Sequence, residues 1–396
     1  MGLIYAALIG FALFLIAERV LLWYARKQFA LVIHVNGTRG KSTVTRMIHA
    51  MLRQHGMEVF GKTTGSAARL LLPDGTEKPV LRFGPANIRE QRNVMILSAF
   101  TKKYTSEKLQ GRALVFECNA VQEELQYISM KWLKPDITVI TNVREDHVQE
   151  LGSAEQAARI FAAAVPQNAA LVTSEGGFMN VWQAAAKQKN LQLRYVDPLE
   201  AGDCMFPENT ACVLGIADWL NIARPDAVAL IAGHKPDAGA FAFYAWKEGS
   251  RPVFFADARA ANDIESTNRL SAAALQISKP YTGNANVKRI LLLVNREDRP
   301  DRTELFLRYL IMQHKKLCFD SYLCLGHAPL SFRNTMKREG IPHKFFQNIK
   351  DLEYALAQAP ENTVYIFGVG NFGGKGKLLT QWLKAKRQNP DFKALL

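Results

Sequence analysis

The chain has 396 residues, 48% of them hydrophobic, which excludes a disordered polymer and leaves room for two domains beside any membrane segment. Its formal charge of +14 and pI near 9.5 suit anionic partners such as nucleotides, lipid headgroups, nucleic acid or an acidic polymer, without choosing among them. The five cysteines, Cys118, Cys204, Cys212, Cys318 and Cys324, show no CxxC spacing and an odd count, which speaks against a paired disulfide scaffold or a Cys-rich zinc site.

In chain order, residues Gly2 to Ala17 carry no charge, Glu18 and Arg19 interrupt, and a second apolar stretch runs from Val20 to Tyr24. A helix over this region is long enough to cross roughly 30 Å of hydrocarbon. Arg26 and Lys27 follow it, and the leading end has no Lys or Arg, so the positive-inside tendency places the remainder in the cytoplasm. A cleaved signal peptide would carry its basic residues before the apolar run. The competing reading is a helix packed on the soluble body.

From Phe29 the pattern becomes a short apolar run, FALVIHV, then NGTRGKST, then VTRMIHAMLRQHG, which predicts strand, tight loop and helix, with Gly56 as the stop. ALVFECNA, ITVITNV and AALVTS predict further strands, with helices around Gln122 to Trp132 and Ser153 to Ala163. The alternation implies a mainly parallel sheet covered on both faces, with ligand loops at the strands' carboxyl ends. Residues 197 to 250 read as a transition without a clear pattern. RPVFFADA, KRILLLVN, KLCFDSYLCLG and NTVYIFGVGN then predict strands of a second α/β domain. The expected division is an anchor over 1–25, an ATP-binding domain over 26–234 and a smaller Rossmann-like domain over 235–396. The basic tail from Lys375 to Lys393 is expected to be a mostly solvated helix face.

The sharpest motif is Gly37, Thr38, Arg39, Gly40, Lys41, Ser42 and Thr43. Small residues let the backbone wrap a phosphate, amides at the helix start donate to its oxygens, Lys41 reaches the β and γ phosphates, and Ser42 can hold magnesium. The full P-loop spacing asks for glycine at position 35, where this chain has Val35. Taken alone, Glu117 reads as a strand-end charge, Asn142 as a turn residue and His147 as a loop or helix-cap side chain.

Together, GTRGKST, FECNA and TNVREDHVQELGS resemble the ATP-binding core of the Mur ligase superfamily. VNGTRGKSTVTR, GKTTGSAAR, GPANIREQ, ANDIEST and GVGNFGG, spread over nearly the whole chain, resemble the ATP-binding subunits of poly-gamma-glutamate synthases, the PgsB or CapB type. The resemblance implies an α/β fold in which a membrane anchor precedes a Mur-ligase-like P-loop domain and a C-terminal α/β domain. It implies ATP and Mg2+, with Glu117 and His147 joining Ser42 at the metal, Asp146 supporting His147, and Asn142 shaping the ATP site. The usual Mur pattern continues His-Leu-Asp, whereas this chain has His147, Val148 and Gln149, so one carboxylate is missing. No residue, Lys62 included, is assigned as the carbamylated lysine of many Mur ligases.

By the same resemblance, Lys62, Thr64 and Arg69 are expected to contact phosphate or glutamate carboxylates, and Asn87, Glu90 and Gln91 to orient donor or acceptor. In the second domain, Asp257 is expected at the ribose, Arg259 near the γ phosphate in place of a lysine, and Asn262 at the nucleotide. Asn295, Arg296 and Arg302 are expected at the nucleotide or an anionic substrate. The catalytic set is Lys41, Glu117, His147 and Arg259. The implied reaction is ATP-dependent amide ligation of glutamate through its γ-carboxylate, by way of an acyl phosphate. Implied partners are glutamate and the growing polymer, a small membrane subunit of the PgsC or CapC type and an export component of the PgsA or CapA type; a homo-oligomer stays open. The alternatives are a Mur-like ligase with another acceptor, or a membrane P-loop assembly ATPase. Nucleic acid is not expected, since no recognition helix or zinc module accompanies the charge.

Overall fold

A computed structural model describes residues 2–65, 68–82, 87–101, 111–144, 151–202, 204, 206–237, 239–261, 263–282, 286–357 and 363–395. The chain divides into two compact units, Met1–Asp237 and Ala238–Leu396. In the first unit, helix α1 (Gly2–Lys27) leads to β1 (Leu31–Asn36) and α2 (Lys41–Gln54). Then come β2 (Glu58–Thr63), β3 (Arg69–Leu71), β4 (Glu77–Pro79), α3 (Arg89–Phe100), β5 (Arg112–Glu117), α4 (Glu123–Leu133) and β6 (Ile137–Ile140). α5 (Ala154–Ala164), β7 (Ala170–Thr173), α6 (Met179–Lys189), β8 (Gln192–Tyr195), α7 (Pro207–Trp219) and α8 (Arg224–Ile231) complete it.

The eight strands form one sheet in the order β4-β3-β2-β5-β1-β6-β7-β8. From β2 to β8 every pairing is parallel, while β3 and β4 add an antiparallel edge. The sheet is therefore mixed. Because strand side chains alternate, β1 sends Ile33 and Val35 to a core with α2, α7 and α8, and Val32 to the opposite core with α1 and α3. β1 lies between β5 and β6, so the chain leaves it in one direction and later returns on the other side. That is the topological switch point where α/β folds bind ligands.

Helix α7 falls in the stretch that showed no pattern. Nine consecutive residues, Asn209 to Ala217, are buried, so the helix is enclosed on all sides and leaves no amphipathic period to read. Pro207 and the acidic Glu208 in its first turn are the local start signals. Gly56, with φ of 96°, follows α2 as expected.

The second unit holds β9 (Ala242–Glu248), β10 (Arg251–Asp257), α9 (Ile264–Thr282), β11 (Val287–Asn295), α10 (Pro300–Lys315) and β12 (Ser321–Gly326). α11 (Leu330–Arg338), β13 (His343–Phe346), α12 (Ile349–Ala357), β14 (Thr363–Gly370), α13 (Lys375–Lys386) and β15 (Lys393–Ala394) follow. Its sheet runs β13-β12-β11-β14-β10-β9-β15, parallel except for β9 and β15. One expectation changes here. The strand predicted over 316–326 begins only at Ser321, after a turn in which Leu317 has a φ of 52°. The basic tail keeps its expected solvated face, with Lys377, Lys384, Arg387 and Lys393 exposed, while Leu379, Trp382 and Leu383 of α13 pack into the core beside Phe255 and Ile366.

Two buried histidines make the first unit acid-sensitive. Burial, then the charge of Lys62, pushes His34 down to about 3; burial, with Arg53 and Arg46 nearby, pushes His49 down to about 4. In both, the folded value lies below the unfolded value near 6.5, so the unfolded chain binds protons first and stability is lost as pH falls below that point. The midpoint of urea unfolding should drop between pH 7 and pH 5. An equal midpoint at both would contradict neutral, buried imidazoles.

Candidate nucleotide and ligase site

The loop between β1 and α2 is built from its turn residues outward. Asn36 ends β1 with its side chain in the interior, where Nδ2 donates to Gln126 Oε1 at 2.8 Å and Oδ1 accepts from Gly37 N at 2.9 Å. Val35, at the position where the full motif has glycine, is buried in β1 in register with Glu117, so this chain makes its turn two residues later. Gly37 and Gly40 have φ of 113° and 79°, the left-handed region that glycine enters without strain. Asn142, just past β6, clamps the loop: its backbone O accepts from Thr38 N at 2.9 Å, its Oδ1 from Arg39 N at 3.0 Å, and its Nδ2 donates to Arg39 O at 3.1 Å.

A Cβ on Gly37 would run into Thr141 Oγ1 and lie 2.9 Å from the backbone O of Asn142. The strained φ and the immovable backbone act together. Gly37→Ala should therefore cost about 2 kcal/mol or more and weaken nucleotide binding. Chemical unfolding and nucleotide titration of the variant check this; an unchanged midpoint and affinity would contradict the loop geometry.

Lys41, the first residue of α2, folds back so that Nζ donates to Gly37 O at 2.7 Å and Thr38 O at 3.1 Å. One residue on, Ser42 Oγ donates to Glu117 Oε2 at 2.8 Å. Glu117 ends β5 only 3% exposed, and the same oxygen accepts from Thr64 N at 2.6 Å. Thr43 lies half-buried on the first turn of α2. A loop of amides, a lysine, a hydroxyl and a carboxylate at one strand edge is the donor set that a triphosphate and its divalent cation require. Asn209 of α7 supports the fit: it is buried against Gly40, and its Oδ1 has no partner among the described residues. It was not singled out from the sequence, because only the fold brings α7 to the loop.

The remaining expected residues divide by what surrounds them. Lys62 lies inside β2, fully buried, with Nζ 3.1 Å from Glu90 Oε2. Burial holds Lys62 below the usual lysine value against the pull of Glu90. Burial alone would raise Glu90, but Arg82 and Lys62 together hold its carboxyl below the usual range. Gln91, also fully buried, donates to Asn119 Oδ1 at 2.7 Å and accepts from Ser129 Oγ at 2.5 Å. Lys62 and Gln91 thus lie beneath the site rather than on its surface. Thr64 and Arg69 are half-buried near the carboxyl end of β2, and Asn87 is exposed, its Oδ1 accepting from Arg89 N at 2.9 Å. Asp146, His147 and Asn262 lie outside the described residues.

In the second unit, Arg259 is fully buried and forked onto Asp257, Nε to Oδ1 and Nη2 to Oδ2 both at 2.7 Å. Its Nη1 donates to Gly376 O at 2.6 Å and Phe372 lies 4.9 Å from the guanidinium. The expected arginine at phosphate and aspartate at ribose are thus bonded to each other. Arg296 chelates Asp298, and Arg302 donates to Asn371 Oδ1 at 3.2 Å. Asn295, 1% exposed at the carboxyl end of β11, has no partner for its side-chain oxygen or nitrogen among the described residues.

Comparison with known proteins agrees with this geometry. Residues 35–198 match the Mur ligase middle domain, and residues 243–386 match the poly-gamma-glutamate synthase CapB C-terminal domain. The chain is 30% identical over 365 residues to the capsule biosynthesis protein CapB of Bacillus anthracis, covering 88% of this chain and 75% of that one. It is 30% identical over 370 residues to the PGA synthase CapB of Bacillus subtilis (strain 168), covering 88% and 89%. MurF from Acinetobacter baumannii shares the fold with a TM-score of 0.64 at 13% identity, over 93% of this chain and 80% of that one. E. coli FolC in complex with ADP does so with a TM-score of 0.64 at 16% identity, over 94% of both chains. The P-loop edge, the two matched domains and the two curated relatives lead to one assignment: the chain belongs to the CapB family of Mur-type ligases and is an ATP-dependent ligase.

Proposed function

We propose that this ligase polymerises glutamate through its γ-carboxylate. The observation that carries the chemistry is the Ser42 to Glu117 pair at 2.8 Å beside Lys41; the choice of glutamate follows the kinship with the PGA synthase. A carboxylate oxygen attacks the γ phosphorus of ATP, the bond to the β-phosphate oxygen breaks, and ADP leaves. An amine of glutamate or of the growing chain then attacks the acyl phosphate carbonyl, loses a proton and expels phosphate. The loop amides and the Lys41 ammonium stabilise charge on the transferring group, and Asn142 keeps those donors aimed. Ser42 and Glu117, with His147 on the family pattern, would hold a divalent cation, which would supply charge neutralisation at the phosphates.

Thr64, Arg69 and Asn87 are proposed to meet substrate carboxylates, with Lys62, Glu90 and Gln91 positioning them from beneath. Asp257, Arg259, Asn262, Asn295, Arg296 and Arg302 are proposed for nucleotide or anionic-substrate recognition by the second unit. Helix α1, whose apolar part is bare in the fold, is proposed as a single membrane span with the ligase units in the cytoplasm beside PgsC/CapC-type and PgsA/CapA-type partners.

Glutamate labelled with 18O in its γ-carboxylate tests the acyl phosphate. Each turnover should move one 18O into released phosphate. Unlabelled phosphate during continued amide formation would contradict this route, and ATP loss without any amide would favour an assembly ATPase.

A further inference from the structure

Helix α1 does not hang from the first unit by a loop. Arg26 donates to both carboxylate oxygens of Asp136 at 2.8 Å and to Lys134 O at 3.0 Å, at the edge where β6 begins. Ala25 is fully buried in a cluster with Phe29, Val94, Met95 and Leu114, and Tyr24 stacks on Phe100 with centroids 5.9 Å apart. Further towards the amino end, Glu18 pairs with Arg92.

These contacts define a direction. α3 begins at the strand-end edge, where Gln91 reaches Asn119 and Glu90 reaches Lys62, and it ends at the strand-start edge, where Arg112 donates to Ser98 O and Ala99 O. α1 meets Arg92 before Phe100, so it runs beside α3 in the same sense. Its residues 2–17 must therefore project beyond the edge that carries the P-loop. There Ile4, Phe11, Phe14 and Ile16 are 58–61% exposed, as in a helix without neighbours.

Glu18 and Arg19 end the uncharged run, and charged side chains lie at the interface rather than in the hydrocarbon. That puts the level of Glu18 and Arg92 at the interface and brings the adjoining edge with it. Beside α3 and β4 that edge carries an exposed apolar side chain and cations. Arg69 pairs with Pro79 there, Leu81 is 80% exposed and Arg89 is exposed, while Arg82 is forked onto Glu90 and the exposed Glu123 and Glu124 lie at the start of α4.

We infer that α1 acts as a rigid mast, holding the first unit with its P-loop edge turned towards the membrane and Leu81 and its neighbouring arginines against anionic headgroups. The inference rests on the reading of α1 as a membrane span. It places the growing end of an anionic polymer on the membrane side of the ligase.

Photo-crosslinking tests it on the full chain in vesicles of phosphatidylglycerol and phosphatidylcholine. Leu81→benzoylphenylalanine reports on the P-loop edge; Gln167→benzoylphenylalanine reports on the opposite edge, just before β7. Lipid adducts should be at least tenfold more abundant at position 81. Equal adducts, more at 167, or none at either in a chain that resists carbonate extraction would overturn the orientation and leave the anchor standing. Release of the chain by carbonate would overturn both.

Discussion

Replacing Lys41 with alanine is expected to lower glutamate-dependent ADP formation by on the order of 10²–10³-fold, the range seen when one preorganised transition-state donor is removed. The fold should survive. Alanine is the best helix former and stands at the start of α2, and the clamp from Asn142 to Thr38 N and Arg39 N does not involve the lysine. What disappears is the ammonium that now lies 2.7 Å from Gly37 O, poised where a β or γ phosphate would draw it. ADP release and urea unfolding of the same preparation separate the two effects. Full ADP release by the variant would remove Lys41 from the catalytic set.

The second large effect is expected from Glu117→Gln. Glutamine keeps an oxygen for Ser42 Oγ and Thr64 N, which both approach Glu117 Oε2 within 2.8 Å, but it removes the charge. A carboxylate-to-amide change beside a hard divalent cation should raise the magnesium needed for half-maximal ATP turnover by about tenfold or more. Manganese binding in the presence of nucleotide, followed by electron paramagnetic resonance, gives a readout apart from turnover. It should weaken in parallel. A wild-type magnesium curve with wild-type manganese binding would take Glu117 out of the cation site.

Much of this was legible in local sequence. β1, β5, β6 and β7 announce themselves as apolar runs, and GTRGKST lies between a strand and a helix whose positions the structure reproduces within a few residues. Glu117 and Asn142 stand out only through the family resemblance, since taken alone they read as a strand-end charge and a turn residue; the structure puts both against the loop. Other parts are decided by contacts distant in sequence. α7 is enclosed, so its composition carries no period, and its Asn209 reaches Gly40 only once the sheet has formed. Lys62 is expected, from the resemblance, to contact phosphate or glutamate carboxylates. In the fold Gly61 continues β2, and the lysine points inward to Glu90. Arg259 read as a reaching cation, whereas two residues of spacing suffice for Asp257 to capture it. β3 and β4 have three residues each, too short for an alternating pattern to stand out, and they are the antiparallel edge that the sequence did not suggest.

On the proposed mechanism, Lys41 and its neighbours drive γ-linked glutamate ligation. Membranes containing this chain and a PgsC/CapC-type subunit, supplied with ATP and labelled glutamate, measure it directly. One ADP should form for each glutamate incorporated into a γ-linked polymer, and both should vanish in the Lys41→Ala variant. ATP consumption without label in the polymer, or polymer formed by the variant at the wild-type rate, would contradict it.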